Sequence, residues 1–127
     1  MENTEQEKAQ YLAQAKKAVK EAERAKDYLN AAKKYTEAAD NFNLANEYDS
    51  ANIYMLEAAI NWAMVCDEYP RNKEFLSELA RLYNQLGNWF EAGVLWEEII
   101  DLETSYCDKL KAAKQSIMAY TRYINGG

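Results

Sequence analysis

The stretch YLNAAKKYTEAADNFNLANEYDSANIYMLEAAINWAMV, residues 28–65, decides the fold. Tyr28, Tyr35 and Phe42 recur at every seventh position, with Ala31, Ala38 and Ala45 beside them. The steps alternate three and four, which places both columns on one helix face. The pattern restarts as Tyr48, Met55 and Trp62 with Ala51, Ala58 and Val65. Between Ala45 and Tyr48 the rhythm slips by one residue. Within one continuous helix that slip would turn the apolar stripe away from its neighbour. Ala45-Asn46-Glu47 therefore reads as a tight turn between two antiparallel helices. Alanine lets helix backbones approach closely, and facing aromatics fill the remaining space at the density of a protein interior.

The same logic extends outward. Thr4 with Glu7 three residues on is a capping box that opens a first helix over 4–25, packed through Tyr11, Ala15, Ala18, Ala22 and Ala25. Its other face, with Lys16, Lys17, Lys20 and Arg24, reads as solvated. Asp27 starts a second helix over 27–45, and the third runs over 47–68. Pro70 cannot continue it, and Asn72 caps a fourth over 73–86, rich in Phe75, Leu76, Leu79, Leu82, Tyr83 and Leu86. Gly87-Asn88 ends that helix, glycine being free to take a left-handed cap conformation. A fifth helix, 89–103, carries Trp89, Ala92, Trp96, Ile99 and Ile100. A sixth, 106–124, follows Ser105 and shows Leu110, Ala113, Ile117, Tyr120 and Ile124 at steps of 3, 4, 3 and 4. Asn125-Gly126-Gly127 reads as a frayed end.

The totals agree with an all-α chain. It has 127 residues, a one-domain length, with 4 glycines, 1 proline and 28% charged residues. A net charge of −6 argues against non-specific nucleic-acid binding, which needs many cationic side chains. The polar N-terminal stretch Met1–Gln10 does not read as a signal peptide, and no stretch reads as a membrane span. Cys66 and Cys107 form no paired motif and read as reduced, largely structural thiols of a cytoplasmic protein. Histidine is absent, which removes the commonest general base and metal ligand. Glu97 and Asp101 lie one helical turn apart, but carboxylate-bridged metal bundles also call on histidine. No phosphate loop or nucleophile motif appears. The expectation is a non-enzyme with no catalytic residue, metal or cofactor.

The chain also repeats itself. Trp89, Ala92, Trp96, Ile99 and Ile100 stand 41 residues after Tyr48, Ala51, Met55, Ala58 and Ala59. Such self-similarity marks stacked helical hairpins, each needing its neighbours to bury its apolar face. The run Leu79-Ala80, Tyr83, Gly87, Trp89, Ala92, Trp96 resembles a tetratricopeptide repeat. Ala39, Phe42, Tyr48, Ala51, Met55 and Ala58 are similar, with Asn46 for the turn glycine. The spacing from Tyr28 to Ala51 resembles the N-terminal part of the SNAP family, adaptors that link SNARE bundles to their disassembly ATPase.

The resemblance implies about six antiparallel helices stacked in a short tetratricopeptide-like right-handed superhelix. It implies a cytoplasmic adaptor of vesicle traffic, touching membranes only through a protein partner such as a helical bundle. A generic peptide-binding module and a self-associating helical bundle remain open beside it. In the repeat register, Lys33, Thr36, Asp40 and Asn43 on the second helix and Ser77, Arg81, Asn84 and Gln85 on the fourth are candidate partner-binding positions. Lys111 and Lys114 join them, because the sixth helix carries Lys109, Lys111, Lys114 and Arg122 against Asp108. That charge leads us to expect an acidic partner.

Overall fold

The computed structural model describes residues 4–126. Part of the polar N-terminal stretch and the last glycine lie outside the described residues. Six helices follow one another: α1 (Glu5–Arg24), α2 (Tyr28–Leu44), α3 (Tyr48–Glu68), α4 (Lys73–Leu86), α5 (Trp89–Leu102) and α6 (Tyr106–Ile124). No strand occurs among the described residues. The chain divides into two compact units, Met1–Met64 and Val65–Gly127.

Side-chain caps set the starts of α1, α2, α4 and α6. Thr4 Oγ1 accepts from the Glu7 amide at 3.1 Å, Asp27 Oδ1 from Asn30 at 2.7 Å, Asn72 Oδ1 from Phe75 at 3.0 Å and Ser105 Oγ from Asp108 at 3.0 Å. Each satisfies an amide that has no carbonyl one turn earlier, a contribution of about 1 kcal/mol.

Two hairpin turns share one geometry. After α2, Asn46 adopts φ 62°, its amide donates to the Asn43 carbonyl at 3.0 Å, and the Glu47 amide donates to Phe42 at 2.9 Å. After α4, Gly87 adopts φ 80°, its amide donates to Asn84 at 3.2 Å, and the Asn88 amide donates to Tyr83 at 2.8 Å. These are paired Schellman closures with a left-handed residue at the corner. Each residue of the second turn stands 41 positions after its counterpart, so the offset read from the sequence is an offset in structure. Asn46 does the work that glycine does at 87.

In the first unit, α2 is buried along a wide stripe. The adjacent pairs Ala31-Ala32 and Ala38-Ala39 are all buried. Three helices meet there: Ala15 of α1, Phe42 of α2 and Ala51 of α3 form one cluster, flanked by Leu12, Val19 and Tyr54. Along α3, Ala51, Met55, Ala58, Ala59 and Trp62 are buried. Tyr54 lies nearly parallel to Tyr35 and Phe42, with ring centres 6.1 and 5.5 Å away. Early residues of α3 meet late residues of α2, so the pair is antiparallel. Burying Phe42 and Trp62 contributes about 1.5–3 kcal/mol each, which the alanine columns make possible by close approach.

In the second unit, Leu76, Leu79, Ala80 and Leu82 of α4 and Ala92 and Ile99 of α5 are buried. The sixth helix forms over the expected span but turns a different face inward. Ala112, Ser116 and Ala119 are buried, whereas Leu110, Ile117 and Ile124 are between half and four-fifths exposed. The cause lies on α5. Ser116 Oγ donates to the Gly93 carbonyl at 3.1 Å, and a Cβ at Gly93 would meet the Tyr120 ring at 2.7 Å. Gly93 leaves room for the Tyr120 ring and offers its carbonyl to Ser116, and α6 in that orientation keeps its Leu and Ile ridge outside. Phe90 packs on Tyr120 and Tyr123, and the Arg122 guanidinium lies 5.1 Å from the Trp89 ring.

The two thiols differ. Cys66 is buried and Cys107 is exposed; neither is in a disulfide. Cys107 therefore has no packing role of the kind expected for both. No described helix is long and apolar enough to cross a membrane.

Candidate protein-binding groove

The second unit carries a groove between α4, α5 and α6. Two adjoining openings, of about 350 and 450 Å³, share Ser77, Glu103 and Asp108. Lys73, Glu74 and Glu78 continue one opening; Trp96, Ile99, Lys111, Ala112 and Gln115 line the other.

Each wall has a local cause. Ser77 lies one turn into α4, whose start is fixed by the Asn72 cap. Glu103 is the first residue beyond α5, in extended conformation, and Lys73 holds it through an ion pair of 3.4 Å. Asp108 sits in the first turn of α6, where a carboxylate is favoured by the helix dipole. Ile99 and Ala112 supply an apolar floor, and both are buried. The indole of Trp96 borders this floor, and its Nε1 is buried with no hydrogen-bond partner within the protein. Buried donors without acceptors are uncommon.

The internal repeat explains why the space exists. In the first hairpin, Trp62 Nε1 donates to Thr36 Oγ1 at 3.0 Å, and the indole is 3% exposed. At the 41-residue offset, Thr36 becomes Ser77 and Trp62 becomes Glu103. The hydroxyl is retained and the ring is lost. Glu103 moreover stands past the end of its helix, whereas Trp62 stands within α3. The position that an indole plugs in one hairpin is an opening in the other.

Of the residues singled out in the sequence, Ser77 and Lys111 line this groove. Gln85 and Lys114 are exposed, and Arg81 pairs with Glu78 at 3.0 Å. Asn84 is half-buried, with Oδ1 lacking a hydrogen-bond partner within the protein. Lys33, Thr36, Asp40 and Asn43 belong to the first unit. There Lys33 and Asp40 are exposed and Asn43 is half-buried. The Thr36 hydroxyl is already engaged, accepting from Trp62 and donating to the Ala32 carbonyl at 2.8 Å. Sequence reasoning passed over Lys73, Trp96, Glu103, Asp108 and Gln115 as groove residues. The Trp62-to-Glu103 exchange at the repeat offset was the available signal.

Among the described residues, no three Cys, Asp or Glu side chains converge on a point where a metal ion would fit. Glu97, on the other side of α5, is spent on Tyr120: burial pushes that phenol up, and the hydrogen bond and charge of Glu97 push it further. No protein-family model, curated protein or solved structure matches the chain.

Proposed function

We propose that the chain is a non-catalytic protein-binding scaffold that recognises its partner in the groove of the second unit. The observation that carries this reading is the exchange of the Trp62–Thr36 pair for Glu103 and Ser77. A partner segment would insert a bulky ring where Glu103 leaves room, against Ile99, Ala112 and Trp96. Four carboxylates (Glu74, Glu78, Glu103, Asp108) against Lys73, Lys111 and the Arg81 that pairs with Glu78 leave a small negative excess, which favours a positive charge beside that ring. This is opposite in sign to the acidic partner expected from the charge of α6.

The test is selection of peptides from a random display library against the whole chain. The expected outcome is enrichment of segments with an aromatic residue next to Lys or Arg, with binding reduced at least tenfold by Ser77→Tyr, which fills the opening. Binders indifferent to Ser77→Tyr and to Glu103→Lys would overturn the assignment.

The resemblance of residues 28–51 to SNAP adaptors supports a narrower version, in which the partner is a SNARE-type helical bundle in vesicle traffic. Retention of an assembled SNARE bundle on the immobilised chain at low salt supports that version. A bundle that passes through unretained excludes it and leaves the broader scaffold reading standing.

A further inference from the structure

Two helices carry unpartnered apolar stripes of opposite electrical character. On α6, Tyr106, Leu110, Ile117 and Ile124 lie within about 40° of one another around the helix, at roughly 100° per residue, and each is more than half exposed. The spacing from Leu110 to Ile117 to Ile124 is a strict heptad. Lys109 and Lys114 flank the stripe, and Lys111 is exposed further round. Over its whole length α6 has four cationic residues (Lys109, Lys111, Lys114, Arg122) and one anionic residue, Asp108. On α3, Ile53, Leu56, Ile60 and Met64 form a second stripe, at 59%, 51%, 53% and 39% exposure. Asp49 and Asp67 stand at its two ends and Glu57 beside it. The whole of α3 has four anionic residues (Asp49, Glu57, Asp67, Glu68) and no cationic one.

We infer that the α6 stripe of one copy docks on the α3 stripe of a second copy. Apolar burial supplies the attraction, since both stripes follow the three-and-four spacing that lets helices interlock. Charge selects the pairing. Two α6 stripes would bring lysines together, and two α3 stripes would bring carboxylates together. Only the mixed pairing puts Lys109 and Lys114 opposite Asp49, Glu57 and Asp67. Such complementarity governs partner choice more than strength. Each copy offers one stripe of each kind, so the contact joins unlike surfaces of the two copies.

Sedimentation over a wide concentration range tests this directly. The unaltered chain should gain mass with concentration, and raised salt should weaken the association. Ile117→Glu places a carboxylate in the α6 stripe, and Ile60→Lys places an ammonium in the α3 stripe. Both residues are exposed, so the fold should survive, as circular dichroism will report. Each variant alone should associate at least tenfold more weakly. Mixed, they should restore a discrete one-to-one complex, because one retains an intact α3 stripe and the other an intact α6 stripe. A chain that stays monomeric throughout would overturn the inference. So would association that survives either substitution, or variants that fail to complement while the unaltered chain associates, as a symmetric or foreign interface would require.

Discussion

The indole Nε1 of Trp62 donates to Oγ1 of Thr36 at 3.0 Å, and that hydroxyl donates onward to the Ala32 carbonyl at 2.8 Å. A side chain on α3 is thereby tied through one hydroxyl to the backbone of α2. Thr36→Val keeps the shape and removes the acceptor, so it should cost about 1 kcal/mol. Trp62→Phe should cost at least as much, since it also loses ring area. In the double variant the two costs should fall short of additive by about 0.5–1 kcal/mol, measured by urea denaturation. Strict additivity would mean that the two groups do not act together.

The paired hairpin corners give substitutions of opposite sign. Asn46 holds φ 62°, where a residue with a Cβ is strained, so Asn46→Gly should be neutral or stabilise by up to about 1 kcal/mol. The gain is reduced by loss of the Tyr48 hydroxyl bond to Asn46 Oδ1, 2.9 Å long. Gly87→Ala, at φ 80° with open space around the new methyl, should destabilise by about 1 kcal/mol through the backbone alone. Thermal unfolding of the two variants checks both signs.

Gly93 behaves differently. In an ordinary helix interior, Gly→Ala gains about 1 kcal/mol. Here the methyl would meet the Tyr120 ring at 2.7 Å, and overpacking of that kind costs about 1–3 kcal/mol. Gly93→Ala should therefore destabilise the protein. In a Tyr120→Ala background the same substitution should become stabilising, and that reversal is what denaturation of the double variant should show.

Burial pushes the Cys66 thiol from its ordinary 9.0 up to about 11, and the charges of Asp67 and Glu98 add to the effect. The neutral thiol is thus favoured in the folded state. Stability from this group is complete below pH 9, where folded and unfolded thiols are both protonated. It is lost as pH rises towards 11, because the unfolded chain releases its proton first. Tyrosines and lysines titrate in the same range, so the readout is the difference between the unaltered chain and Cys66→Ala, whose stability should fall less steeply. With a disulfide reagent at neutral pH, exposed Cys107 should react fast and Cys66 slowly.

Helix bounds were legible because they are written in local chemistry. Asp27, Asn72 and Ser105 cap where caps were expected, and the slip between Ala45 and Tyr48 marks the corner at Asn46. The alanine columns were legible because their period is that of a helix face. The inward face of α6 was not, since Leu110, Ile117 and Ile124 make as regular a stripe as any core helix. What turns that stripe outward is Gly93, a residue on another helix, and the choice of face is a property of the pair. The groove was half legible. Ser77 was read from the repeat register and Lys111 from the charge of α6, but the opening itself arises from a ring that is missing at Glu103. A pattern search for apolar residues does not register a missing one.

The most direct test of the groove is to offer it the ring it lacks. Titration of the isotope-labelled chain with N-acetyl-tryptophanamide, followed by amide and indole NH resonances, should shift Ser77, Ile99, Glu103, Lys111 and the Trp96 indole together along one saturable curve. The Thr36 and Trp62 signals, where the place is already filled, should stay still. Shifts at Thr36 and Trp62 matching those of the groove, or a groove that remains silent at the solubility limit of the probe, would contradict the claim that the second unit holds an open recognition site.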